Sequence, residues 1–262
     1  MAGPLTGRRV AVTRAAEQAG ELAERLRALG AEPLVCAALA AAPPADPGPL
    51  DAALDGLAGY DWLVVASANA ARALLGRLAE RGLGPGALGH LRVAAVGPAS
   101  ARPLADAGLR VDLVAAEHTA AGLLAELGDL AGRRVLLPQA DIARPELAEG
   151  LRARGALVDA VTAYRTVPGD GVAALLEALR ARQVDAVTFA SPSALRFVLQ
   201  GAGQAGLSRE QAARLLAQVP LVCIGPTTAA ALRAEGLPVA AEARPHTAEG
   251  LVRALVELFA PA

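Results

Sequence analysis

The chain has 262 residues, 25 basic and 26 acidic side chains and 2% aromatic residues, a balance without the basic excess or the stacking surfaces of a nucleic-acid binder. Hydrophobic residues reach 54%, much of it alanine, yet no run approaches the roughly 18 uncharged apolar residues of a membrane span. All 25 basic residues are arginine, which excludes a Schiff-base lysine and a phosphate-loop lysine, and Cys36 and Cys223 are too few for a zinc ribbon or an iron-sulfur cluster.

In chain order, the opening MAGPLTGRRV has no apolar signal core, so a soluble cytoplasmic protein is expected. Short apolar runs then alternate with helical Ala/Leu/Arg/Glu segments. RRVAVT (8–13), DWLVVA (61–66), LRVAAV (91–96), RRVLLP (133–138), VDAVTFA (184–190) and PLVCI (220–224) are predicted strands, each running through Ser, Thr, Gly or Pro into a helix. That alternation predicts parallel α/β units. Two Pro-rich or polar stretches, 37–49 and 162–171, carry no regular pattern and are the natural crossings between domains. GPGALG (84–89) and GAGQAG (201–206) spell G-x-G-x-x-G, but each follows a helix, whereas a dinucleotide fingerprint follows a strand.

The chain also repeats itself. GRRVAVTRA from Gly7 matches GRRVLLPQA from Gly132, and Gly30 matches Gly155, at a spacing of 125 residues. Asp61 and Ser67 match Asp185 and Ser191 at 124, and Gly97, Gly108 and His118-Thr119 match Gly225, Gly236 and His246-Thr247 at 128. The chain is two copies of one α/β unit.

The repeated strand ends carry the candidate site. In an open parallel sheet, ligands lie beyond the carboxyl ends of the strands, where loops enter helix N-termini. Gly97 and Gly225 would let the backbone approach a ligand, the following prolines suit a first helical turn, and Ser100, Thr227 and Thr228 add hydroxyls beside its free N–H groups. Thr13 and Arg14, Ser67 and Asn69, and Ser191 and Ser193 stand at the other strand ends, with Gln139 at the place in the second copy that Arg14 holds in the first. Singly, such residues are helix caps; as a set written twice they suit an anionic ligand held by backbone donors and helix dipoles, without needing a basic side chain. His118 and His246 read as helix flanks, each followed by a capping Thr. Tyr164, one of two tyrosines, lies between the copies and reads either as a half-buried strand aromatic or as a functional hydroxyl.

VTRAAEQ, ASANAA, VGPAS, TAYRTV, FASPSAL and CIGPTTAAAL together resemble the uroporphyrinogen-III synthase family, over about residues 10–255. The resemblance implies two similar doubly wound, flavodoxin-like parallel-sheet domains, one of 1–38 with 167–262 and an inserted one of 41–163, joined by connector strands within 36–45 and 160–170. It also implies a monomeric enzyme that takes a small molecule, hydroxymethylbilane, with no cofactor, nucleic acid or membrane. In the cleft between the domains this linear tetrapyrrole would lose water and close with ring D inverted. Tyr164 would be the catalytic proton donor, and the strand-end residues named above, with Arg144 at the rim, would hold the carboxylates. The competing reading is a non-catalytic two-domain clamp for a small anion.

Overall fold

The computed structural model describes residues 3–14 and 16–260, with the backbone alone for 16–18. The strands are β1 Arg9–Val12, β2 Glu32–Val35, β3 Leu39–Ala42, β4 Trp62–Val65, β5 Arg92–Ala95, β6 Leu113–Val114, β7 Arg134–Ala140, β8 Leu157–Pro168, β9 Ala186–Phe189, β10 Leu221–Cys223 and β11 Ala241–Glu242. The helices are α1 Ala16–Ala28, α2 Gly48–Asp55, α3 Ala68–Glu80, α4 Pro98–Asp106, α5 Ala120–Glu126, α6 Glu146–Ala153, α7 Gly171–Arg180, α8 Pro192–Gln200, α9 Arg209–Leu216, α10 Pro226–Ala234 and α11 Ala248–Phe259. All six strands expected from the apolar runs are present, shifted at their ends by a residue or two. The stretches that lacked a pattern are also structured: 37–49 contains β3 and the start of α2, and 162–168 is the second half of β8.

The chain divides into two compact units, residues 1–40 with 167–262, and residues 41–166. In the first unit the sheet order is β2-β1-β9-β10-β11, and β1 pairs in parallel with both β2 and β9. The second sheet runs β3-β8-β7-β4-β5-β6, with β7 parallel to β8 and β4, and β4 parallel to β5. Leaving β3 aside, the two orders correspond strand for strand through the sequence repeat. Each sheet is nevertheless a hybrid. The first β-α-β piece of one copy pairs with the last three strands of the other, so the units are not cut where the repeat ends.

Two aspartates hold these hybrids together. Asp61, just before β4, accepts from the Arg134 backbone N–H at 2.8 Å and from Arg133 Nη1 at 3.1 Å. Asp185, just before β9, accepts from the Arg9 N–H at 2.7 Å and from Arg8 Nη1 at 3.3 Å. The repeated Gly-Arg-Arg-Val and its repeated Asp are therefore two halves of one strand-registering device, each half supplied by a different copy.

Alternating strand residues cover both faces of each sheet. In the first unit Val10, Val12 and Val222 pack under α1 and α11, while Ala11, Val187 and Phe189 face α7 and α8. In the second, Trp62, Val64 and Val135 pack under α5 and α6, while Leu63, Val65 and Val93 face α2, α3 and α4. Each fully buried Leu or Val on these faces contributes on the order of 1.5–3 kcal/mol. A sheet covered on both faces leaves its strand ends as the place for polar chemistry.

Candidate functional site

In the second unit β4 and β7 are neighbours, but the chain leaves β4 for α3 on one face and leaves β7 for α6 on the other. Such a switch point opens a crevice at the carboxyl ends of the strands. A cavity of about 540 Å³ lies there, walled by Ser67 and Ala70 from the start of α3, Leu137 to Ala140 at the end of β7, the Ala143–Leu147 segment, the His118–Ala121 segment, Val96 and Tyr164.

Ser67 is there because the turn after β4 needs a cap: its Oγ accepts from the Ala70 N–H at 3.1 Å and starts the 13-residue helix α3. Tyr164 is there because β8 is bulged. Gln139 pairs with Thr162 but Ala140 with Tyr164, so Ala163 is the extra residue. By strict alternation Tyr164 would face away from Val161 and Ala163; after the bulge it packs on their side, against the core beneath α3. Its Oη then lies 3.3 Å from Ser67 Oγ, with either hydroxyl able to donate. The bulge is closed by the Asp141 N–H donating to the Tyr164 carbonyl at 3.0 Å and by the Thr166 N–H donating to Asp141 Oδ1 at 3.0 Å. Arg144 is the cationic side chain on the cavity wall and Glu146 the acidic one.

The remaining strand-end residues of this unit lie outside that wall. Gly97 is buried with extended backbone, and a Cβ there would stand 3.2 Å from the His118 ring, so the space beside it belongs to a side chain. The reason for glycine given by the sequence, close approach of a ligand, is thereby replaced. Ser100 is buried in the first turn of α4. Asn69 Oδ1 accepts from Arg72 Nη1 at 3.1 Å along α3.

In the first unit Thr13 is fully buried and donates to the Thr188 carbonyl at 2.8 Å, while Thr188 donates to the Ala11 carbonyl at 3.0 Å, a reciprocal clasp between β1 and β9. Arg14 is half-buried after β1. Ser191 caps α8 by accepting from the Ala194 N–H at 3.2 Å, and its Oγ lies 2.9 Å from Ser193 Oγ. At Gly225 a Cβ would stand 3.1 Å from the His246 ring; Thr228 is buried and Thr227 exposed. The two G-x-G-x-x-G stretches form the short 3-10 turns Pro85–Leu88 and Gly201–Ala205, neither of them following a strand. Both cysteines are buried thiols, and burial pushes Cys36 up to about 11. No group of three or more His, Cys, Asp or Glu able to hold a metal occurs among the described residues, and no helix there is long and apolar enough to cross a membrane.

Sequence reasoning placed Ser67, Gln139, Arg144 and Tyr164, and these share one cavity. It missed His118, whose signal was the recurrence of His-Thr at 128 residues in a place where a helix needs only the Thr.

Fold and cavity define the class: an α/β protein of parallel sheets, with a crevice where such sheets take their ligands. A family model for uroporphyrinogen-III synthase HemD matches residues 20–253. A uroporphyrinogen-III synthase from Synechococcus elongatus is 32% identical over 259 residues, 96% of each chain. A putative uroporphyrinogen-III synthase from Methanothermobacter thermautotrophicus is 37% identical over 62% of this chain and 65% of its own. Among solved structures, a mutant uroporphyrinogen III synthase from Thermus thermophilus matches 96% of this chain and 98% of its own at 25% identity, with a TM-score of 0.56. A Helicobacter pylori uroporphyrinogen-III synthetase shares the fold at a TM-score of 0.56, with 18% identity over 96% of this chain and 99% of its own. The chain belongs to the uroporphyrinogen-III synthase family.

Proposed function

We propose that this enzyme converts hydroxymethylbilane to uroporphyrinogen III, and that the cavity of the second unit holds the reacting end of the bilane. Family membership supports the reaction, and one observation carries the site: the Tyr164 hydroxyl, aimed by a bulge at the Ser67 hydroxyl 3.3 Å away, inside the switch-point cavity. In the reaction the terminal hydroxymethyl C–O bond breaks and the hydroxyl takes up a proton and leaves as water. The azafulvene left behind is attacked at the ring D carbon that carries the link to ring C; in the resulting spiro stage that link breaks and re-forms at the free α-carbon of ring D, which inverts the ring, and loss of a proton restores the pyrrole. Net change is the loss of one water.

Tyr164 donates the first proton, and Ser67 orients its hydroxyl. Most of the acceleration and all of the isomer choice come from holding the bilane folded, because unassisted closure gives the uninverted isomer. Arg144 and the N–H groups at the start of α3 take carboxylates at this end. Asn69 and Gln139 complete the polar groups at this end, and in the first unit Arg14, Ser191, Ser193 and Thr227 are the strand-end groups open to a ligand. We read the two units as two similar flavodoxin-like domains, the second inserted in the first, with β3 and the end of β8 as the connector.

Tyr164→Phe removes the proton and leaves the ring. It is expected to slow cyclisation by roughly a hundredfold, the low end of general acid catalysis, and to let type I product accumulate as unassisted closure competes. Full rate and full type III purity in the variant, read by chromatography of the oxidised porphyrins, would remove Tyr164 from the chemistry.

A further inference from the structure

The least expected feature of the cavity wall is His118, and the way the chain holds it is written twice. The Thr119 N–H donates to the Glu117 carbonyl at 2.7 Å, a three-residue turn with His118 at its centre; the Thr247 N–H donates to the Pro245 carbonyl at 2.8 Å, with His246 at the centre. Each Thr then caps the next helix, Thr119 accepting from the Gly122 N–H at 2.9 Å and Thr247 from the Gly250 N–H at 3.2 Å. Gly122 and Gly250 are required because a Cβ at either would run into the Glu117 or Pro245 carbonyl.

Each ring is seated on a glycine of the neighbouring strand end: His118 Cγ would lie 3.2 Å from a Cβ at Gly97, and His246 Cγ 3.1 Å from one at Gly225. Both glycines have φ near 180°, −168° and 174°, which any residue adopts. What calls for glycine there is the ring. Four glycines and two capping threonines thus fix two histidines that helix capping alone does not need.

His118 is exposed and stands in the same wall as Ser67, Gln139, Arg144 and Tyr164. That wall carries one arginine, Arg144, and one carboxylate, Glu146, so a further donor fits a ligand held by its carboxylates. We propose that His118 is a substrate-binding residue of the cyclisation, its ring N–H donating to a carboxylate of the bilane, with Gly97 as the positioning residue that leaves the ring its seat. The proposal rests on the function argued above.

The test is steady-state kinetics on hydroxymethylbilane with isomer analysis, for wild type, His118→Ala, His118→Gln and Gly97→Ala. Loss of one hydrogen bond to a charged group is expected to raise KM about tenfold in His118→Ala, with kcat within about twofold and the product still type III. His118→Gln, which keeps an N–H donor, should recover most of that loss. Gly97→Ala keeps the imidazole but displaces it by a few tenths of an ångström, and a KM raised a few-fold is expected. An unchanged KM in His118→Ala, with type III still formed, would overturn the role of His118 and leave the function standing. Wild-type enzyme giving type I alone would overturn the function, and His118 with it. If His118→Ala does not fold, Gly97→Ala decides, and a wild-type KM there overturns the proposal.

Discussion

At the scale of residues, two protons are held firmly away from the site. Tyr60 donates to Asp159 Oδ2 at 2.6 Å, and burial together with that carboxylate pushes its hydroxyl up to about 12 from an ordinary 10.0. Burial raises Cys36 from 9.0 to about 11. Both folded values lie above the unfolded ones, so the folded chain keeps protons that the unfolded chain releases. Their stabilisation is complete below about pH 9 and disappears as pH rises from 9 to about 12. Denaturant titrations at increasing pH should show roughly 2 kcal/mol lost to Cys36 between pH 9 and 11, with Cys36→Ala removing that part of the slope. Stability that stays flat to pH 11 would contradict this. The same scale shows what sequence conveys about a site. Ser67 and Gln139 were legible because hydroxyls and amides at strand ends have a known place in parallel sheets, and Tyr164 because TAYRTV carries the family resemblance. His118 was not, because its partner is the empty side of a glycine 21 residues away, and its one signal, the recurrence of His-Thr at 128 residues, is met by the capping Thr alone.

At the scale of elements, legibility followed burial. Strands covered on both faces, such as β4 and β9, are uninterrupted apolar runs and were found within a residue or two. Edge strands were not: β2 reads Glu-Pro-Leu-Val with its ends exposed, and β6 and β11 are two residues each. They are defined by a neighbour's hydrogen bonds rather than by their own hydrophobicity. β8 has no strand pattern of its own, for another reason, and only the family resemblance places a connector strand within 160–170. Its twelve residues mix Asp, Thr, Tyr and Arg, and the bulge at Ala163 breaks the alternation that would mark a strand. The irregularity that hid the strand is the one that turns Tyr164 toward Ser67.

At the scale of the molecule, repeat and unit disagree, and the structure shows why. Sequence similarity divides the chain near residue 130, whereas the compact units are 41–166 and the remainder, because Asp61 and Asp185 each register the first strand of the other copy. A fragment of residues 41–166 contains β4 to β7 and nearly all of β8, and with them both helical layers of its own sheet. It is expected to unfold cooperatively by circular dichroism. A fragment of residues 1–130 keeps β2 beside β1 and β5 beside β4 but lacks their other partners, β9 and β7, and is expected to show no thermal transition. The reverse result would mean that the copies, not the hybrids, are the folding units. The central claim is chemical, and one measurement meets it directly: the ratio of type III to type I porphyrin after hydroxymethylbilane is generated in the presence of the purified protein, with no metal or cofactor added, against a sample without protein. A large excess of type III with the protein, and type I without it, is the predicted result. Type I alone with folded protein would contradict the account.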